Sequence, residues 1–183
     1  MNKQLQTVFP AQEKVSEACD LVALADFVSS IFAQPGQPID RRFRALLDRA
    51  CETFSMDYGY ITMTQHRDSP IRFSSRSLPS LREAPRLDRK ATLSRQVIKR
   101  RDVLAIEDNS MGTFSTMTDQ TNRQPKRYLG APIEFDGRVW GTLEFSSNAL
   151  SNKAPTPAEC SMIRLLCLIT SGPLVLLGED TFA

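Results

Sequence analysis

Tyr128–Ser147 reads YLGAPIEFDGRVWGTLEFSS, and the alternation within it decides the fold. Asp136-Gly137 separates two runs of alternating apolar and polar residues. That is the pattern of a hairpin closed by a type I′ turn, which needs positive φ at both central positions. Leu129, Ala131, Ile133 and Phe135 fall on one face of the first run, and Val139, Gly141, Leu143 and Phe145 on one face of the second. The paired strands therefore present a continuous apolar face. The opposite face carries Gly130, Pro132 and Glu134, then Trp140, Thr142, Glu144 and Ser146. It is too polar for an ordinary core and too aromatic for a solvated surface. A shallow pocket suits it.

Upstream of the hairpin, Asp57–Gln65 reads as a first strand, and Ser69–Ser77 pairs back on it across a turn holding His66. Val103–Asp108 (VLAIED) is a third. The apolar positions Phe43, Leu46, Leu47, Ala50, Cys51 and Phe54 repeat at i, i+3, i+4, i+7, which places a helix on the sheet with Asp40 as its cap. Residues 91–101 read as a short helix with Leu93, Val97 and Ile98 inward. Between about Glu13 and Phe32 an amphipathic helix carries two apolar stripes, one through Val15, Ala18, Val22, Ala25 and Phe32, the other through Leu21, Leu24, Val28 and Ile31. One stripe can pack on the domain and the other on a partner. Thr156-Pro157-Ala158-Glu159 opens a last helix as a capping box. That helix is apolar nearly all round, so the sheet and a second surface must cover it, either the N-terminal helix or a second copy. Gly172-Pro173 is expected to kink or end it.

YLGAPI, a DG turn and RVWGTLEFSS, preceded by VLAIED and followed by the helix opened at Thr156, resemble the closing part of a GAF domain sheet. The resemblance covers roughly Asp40 to Thr170. It implies an α+β fold: an antiparallel five- to six-stranded sheet, helices from both termini on one face, and a loop or short-helix lid over a pocket on the other. The expected divisions are a lead-in over 1–12, a dimerisation or signalling helix over 13–33, the GAF-like domain over 38–170, and a tail over 171–183.

At 183 residues the chain suits one domain with flanking helices. A net charge of +2 argues against a globally basic nucleic-acid binder. The charge is nevertheless concentrated. Leu81–Arg101 holds eight basic residues against two acidic ones, a local +6 within the total of +2, which leaves −4 for the remainder. That stretch has no aromatic residue for base stacking, so a solvated face, an anionic ligand or an acidic partner fits it better than nucleic acid. No continuous apolar run of membrane-spanning length and no signal-peptide core stand out. The four cysteines, at 19, 51, 160 and 167, form no C-x-x-C pair. With a single histidine in the chain, a zinc site is not expected. A cytoplasmic protein with reduced, buried thiols is the reading.

The chain has no G-x-S-x-G, no Gly-rich phosphate loop and no H-E-x-x-H. Residues between Glu107 and Arg127 include neither Cys nor His, so the covalent bilin attachment found in some GAF domains has no anchor. Free methionine-R-sulfoxide reductases resemble GAF domains with cysteines grouped in pocket loops, whereas the cysteines here fall in expected helices. His66, in a turn, is a poor haem ligand. Asn152-Lys153 only faintly echoes a cyclic-nucleotide motif.

What the resemblance implies is a non-catalytic sensor with a small ligand between the polar sheet face and the 109–127 loop. Thr62, Arg76, Arg95, Phe114, Tyr128, Trp140, Thr142 and Glu144 are the expected lining. Trp140 would stack on the ligand, Arg76 or Arg95 would neutralise an anionic group, and Thr142 and Glu144 would set hydrogen-bond specificity. Burial would raise the Glu144 pKa unless one of those arginines sits opposite. The partners implied are a small molecule, a second copy of the chain, and an output domain or protein acting in cis or in trans. The alternative is a ligand-free dimerisation or interaction module whose pocket is filled by its own side chains.

Overall fold

The computed structural model describes residues 11–64, 71–78, 92–108, 113–149 and 155–179, with side chains from Asp20 to Leu177. The His66 turn, the connector before residue 92 and the Asn152-Lys153 pair lie outside the described residues. The elements run α1 (Ala11–Ala33), α2 (Ile39–Phe54), β1 (Tyr58–Met63), β2 (Ile71–Ser74), α3 (Leu93–Arg100), β3 (Leu104–Ile106), β4 (Arg127–Phe135), β5 (Arg138–Ser147) and α4 (Pro157–Glu179). The strands form one antiparallel sheet in the order β2-β1-β5-β4-β3.

The hairpin forms as its alternation predicts. Asp136 and Gly137 take φ of 48° and 69°, and Phe135 pairs with Arg138 across the turn. One detail differs. The register runs Ile133 to Gly141 and then Glu134 to Val139, so Trp140 is an extra residue in β5. A bulge reverses the side-chain alternation beyond it. Trp140 packs against the larger core on the helix side, and Phe135, the last residue of β4, is exposed.

That larger core lies between the sheet and α1, α2 and α4. Ile61, Leu129, Ala131, Ile133, Leu143 and Phe145 meet Phe43, Leu46, Leu47 and Phe54 from α2, and Ile163, Leu166 and Leu174 from α4. Every apolar residue of the expected α2 stripe is buried. Asp40 is not its cap. Pro38 takes that place, its carbonyl accepting from the Arg41 and Arg42 amides, and Asp40 lies in the first turn, where its charge suits the helix dipole. Gly59 lets this core close, because a Cβ there would overlap the Phe145 ring.

Of the two α1 stripes, the domain buries Leu21, Leu24, Val28 and Ile31 and leaves Val22 exposed. α4 begins with the expected capping box. The Glu159 amide donates to Thr156 Oγ1 at 3.1 Å and the Thr156 amide to Glu159 Oε2 at 2.7 Å. It does not end at Gly172-Pro173. The helix continues to Glu179 with Pro173 inside it, and burial of Leu174 and Val175 offsets the lost backbone hydrogen bond. The span Pro157–Leu177 is long and apolar enough to cross a membrane by length and composition. A packed core helix passes the same test, and α4 lies on β4 and β5.

Candidate functional site

The other face of the sheet is polar and closed. β1 contributes Tyr58, Tyr60 and Thr62, and β5 contributes Thr142, Glu144 and Ser146, all on the two-residue period of a strand. Register pairs them directly: Tyr58 with Ser146, Tyr60 with Glu144, Thr62 with Thr142. From β4, Tyr128 lies over Gly130, where a Cβ would collide with its ring and hydroxyl. The glycine lets Tyr128 reach across to Glu144.

Glu144 is fully buried. Its Oε2 accepts from the Tyr60 hydroxyl at 2.9 Å and the Tyr128 hydroxyl at 2.8 Å. Its Oε1 accepts from Thr142, and Ser94 on α3 supplies a further hydrogen bond. Thr142 in turn shares a hydrogen bond with Thr62. Burial pushes the Glu144 carboxyl above its ordinary value, and the four hydroxyls partly oppose that. Burial and the neighbouring Glu144 charge push the Tyr60 and Tyr128 phenols well up.

A loop over residues 113–123 covers the cluster. Asp119, fully buried, accepts from the Tyr58 hydroxyl at 2.6 Å. Its other oxygen organises the loop by accepting from the Thr121 amide, the Thr121 hydroxyl and the Arg123 amide. The Gln120 amide donates to the Tyr60 oxygen at 3.3 Å, and its side-chain nitrogen to Ser94 Oγ at 2.9 Å. Beside the loop, Leu93, Val97, Leu104, Ile106 and Tyr128 form a second apolar cluster against which Phe114 and Met117 pack.

Of the expected lining residues, Thr62, Phe114, Tyr128, Thr142 and Glu144 come together here. Trp140 lies against the other core. Arg76 is exposed and binds Asp48 on α2, through Nε at 2.6 Å and its backbone amide at 2.8 Å. Arg95 is on the exposed side of α3, whose buried residues are Leu93, Ser94 and Val97. No described basic side chain pairs with Glu144.

The sequence reading passed over Tyr58, Tyr60, Ser94, Asp119 and Gln120. The two tyrosines were within reach, since the period that selects Thr62 selects them too. Cavities of about 460 Å³, beside Asp48 and Arg76, and about 220 Å³, beside Asp102 and Arg164, lie elsewhere. Glu144 lines neither.

This architecture, a sheet with helices on one face and a looped cover on the other, is that of a small α+β domain. The sequence pattern of the GAF domain family matches residues 38–171, and the chain belongs to that family. No curated protein matches it.

Among solved structures, it is similar to the GAF domain of a phosphoenolpyruvate-protein phosphotransferase from Coxiella burnetii (TM-score 0.69, 14% identity, 91% of this chain and 99% of that one). It is similar also to free methionine-R-sulfoxide reductase from Neisseria meningitidis in complex with its substrate (0.65, 11%, 95% and 96%). A third similar structure is residues 122 to 287 of a methyl-accepting chemotaxis protein (0.54, 17%, 81% and 94%). At these identities the likeness is one of fold.

Proposed function

We propose that this GAF domain is a non-catalytic regulatory sensor. A small ligand enters between the polar sheet face and the covering loop, and the terminal helices carry the change to an output domain or protein. The observation that supports this best is the buried cluster itself. Seven polar side chains from β1, β4 and β5 are enclosed on one face, and the loop above them is held by side-chain hydrogen bonds to the same residues. A cover held by polar contacts can exchange them for a ligand's at little net free energy, which is what a two-state element requires.

Thiol chemistry gains no support from the described cysteines. Burial pushes Cys51 up to about 12, and raises Cys160 and Cys167 as well. A reactive thiol needs the opposite shift. Reduced thiols of this kind fit a cytoplasmic setting.

On the helix side, Val22, Leu165, Leu168 and Leu176 are exposed apolar residues on two packed helices. A second copy of the chain is the occupant proposed for that surface.

One observation favours the alternative, a ligand-free interaction module: the polar face is filled by its own side chains. Native mass spectrometry of the purified protein separates the two readings. A dimer carrying a stoichiometric small molecule is expected. An empty dimer that no added ligand changes overturns the sensor reading in favour of the interaction module.

A further inference from the structure

Around Glu144 the hydroxyl donors of the polar face are committed, and a buried acceptor beside them is not. The Tyr60, Tyr128 and Thr142 hydroxyls each direct their proton to Glu144. With the Thr142 proton committed, Thr62 donates to Thr142. Ser94 accepts from Gln120 and gives its own proton to Glu144. Two buried groups are left without a hydrogen-bond partner: Gln120 Oε1, which can only accept, and the Ser146 hydroxyl, which can accept or donate. Gln120 is one hydroxyl away from Glu144 through Ser94, and Ser146 is one pleat along β5.

Glu159, another buried carboxylate, is treated differently. It is 8% exposed and lies 3.4 Å from the guanidinium of Arg127, itself 3% exposed. At Glu144 no described cation takes that part, and Arg76 is bound to Asp48 instead. A ligand anion would meet lone pairs and a carboxylate here. A primary ammonium, with three donors and no acceptor, complements what the face offers.

We propose that the ligand admitted to this site is a small cation bearing N–H donors, an alkylammonium or amidinium group seated on Glu144. This rests on the sensor reading above, and it reverses the anionic ligand that the nearby arginines suggest from sequence. The buried ion pair would form in a site of low polarity, with Gln120 Oε1 as a second acceptor. Gln120 also holds the covering loop, so capture of its oxygen would couple occupancy to the cover.

Three chain-matched probes test it on the full chain: butylammonium, butanol and butyrate at pH 7, read by NMR on the Gln120 side-chain amide. Butylammonium should shift that signal saturably while the other two do not. Glu144→Gln should weaken binding by at least about tenfold, the loss of a charge-assisted contact.

Butyrate that saturates the same signal at equal or lower concentration overturns the cation and leaves the sensor standing. Equal butylammonium binding by wild type and Glu144→Gln overturns the seat on Glu144. No response to any probe up to its solubility overturns the proposal, and the native mass spectrum then decides the sensor reading separately. If Glu144→Gln does not fold, the comparison of probes on the wild type still decides the charge class.

Discussion

The two faces of one sheet solve burial in opposite ways. Toward the helices, Ile61, Leu129, Ala131, Ile133, Leu143 and Phe145 bury apolar surface that needs no partner of defined geometry. Toward the cover, Tyr58, Tyr60, Thr62, Tyr128, Thr142 and Glu144 bury polar groups that must each find one. The residues come from the same strands and alternate one by one. The helix face thus supplies the stability of the domain. The polar face depends on directed hydrogen bonds, so its contacts are the ones a ligand can exchange.

Truncation on the helix face should produce the largest effect. Phe145 is fully buried, edge-on to Phe54 with ring centres 5.2 Å apart, and closely covers Gly59. Phe145→Ala should lower unfolding free energy by about 3–5 kcal/mol, measured by urea denaturation. A loss below about 1 kcal/mol would mean that the helix face is not the stabilising one.

On the other face, Tyr58→Phe removes the hydroxyl donor of Asp119 and leaves the ring in place. The expected loss is about 1–3 kcal/mol, that of leaving a buried acceptor short of a partner. Its distribution matters more than its size. Amide exchange should accelerate over residues 113–123 and stay unchanged in α2. Uniform acceleration through both regions would show that the cover is not a separate unit.

Glu144 gives the polar face a pH signature. Its folded carboxyl is raised above the ordinary value of 4.5, so between those two values the folded state holds the proton more tightly than the unfolded state. Its contribution to stability is therefore full below the ordinary value and is lost as pH rises through the folded one. The groups facing it, the Tyr60 and Tyr128 phenols, are themselves shifted upward and stay protonated across that window. The nearby Asp119 carboxylate acts on both phenols. Unfolding midpoints compared between wild type and Glu144→Gln should show a falling slope in the wild type alone. Parallel slopes would place the charge elsewhere.

Periodicity carried the fold. The DG turn, the α2 stripe and the capping box at Thr156 are local patterns, and each forms as read. Where a non-local contact decides, the pattern fails. Gly172-Pro173 should kink or end α4, and the helix does not end there but runs on to Glu179 with Leu174 buried in the core. Trp140 alternates with Thr142 in sequence, and a register shift against β4 moves it to the other core. The site follows the same rule. Thr142 and Glu144 are legible because they share a strand face. Asp119 and Gln120 are not, because 61 and 60 residues separate them from the tyrosines they meet. Arginine composition suggested a counter-ion for Glu144, and only the fold reveals that Arg76 is bound to Asp48.

The smallest effect on the monomer, and the sharpest on assembly, is expected outside both faces. Leu168 is 70% exposed on α4, with Leu165 and Leu176 exposed along the same helix and Val22 on neighbouring α1. Leu168→Glu should change unfolding free energy by no more than about 0.5 kcal/mol, because the side chain is already largely in solvent. If two copies join here, the same change buries a charge against an apolar surface and the dimer should fall to monomer in light scattering. The dependence of the melting temperature on protein concentration should vanish with it. A dimer that survives Leu168→Glu places the interface elsewhere. α4 would then cease to link the polar face to the outside, even though it packs on β4 and β5, the strands that hold Tyr128 and Glu144.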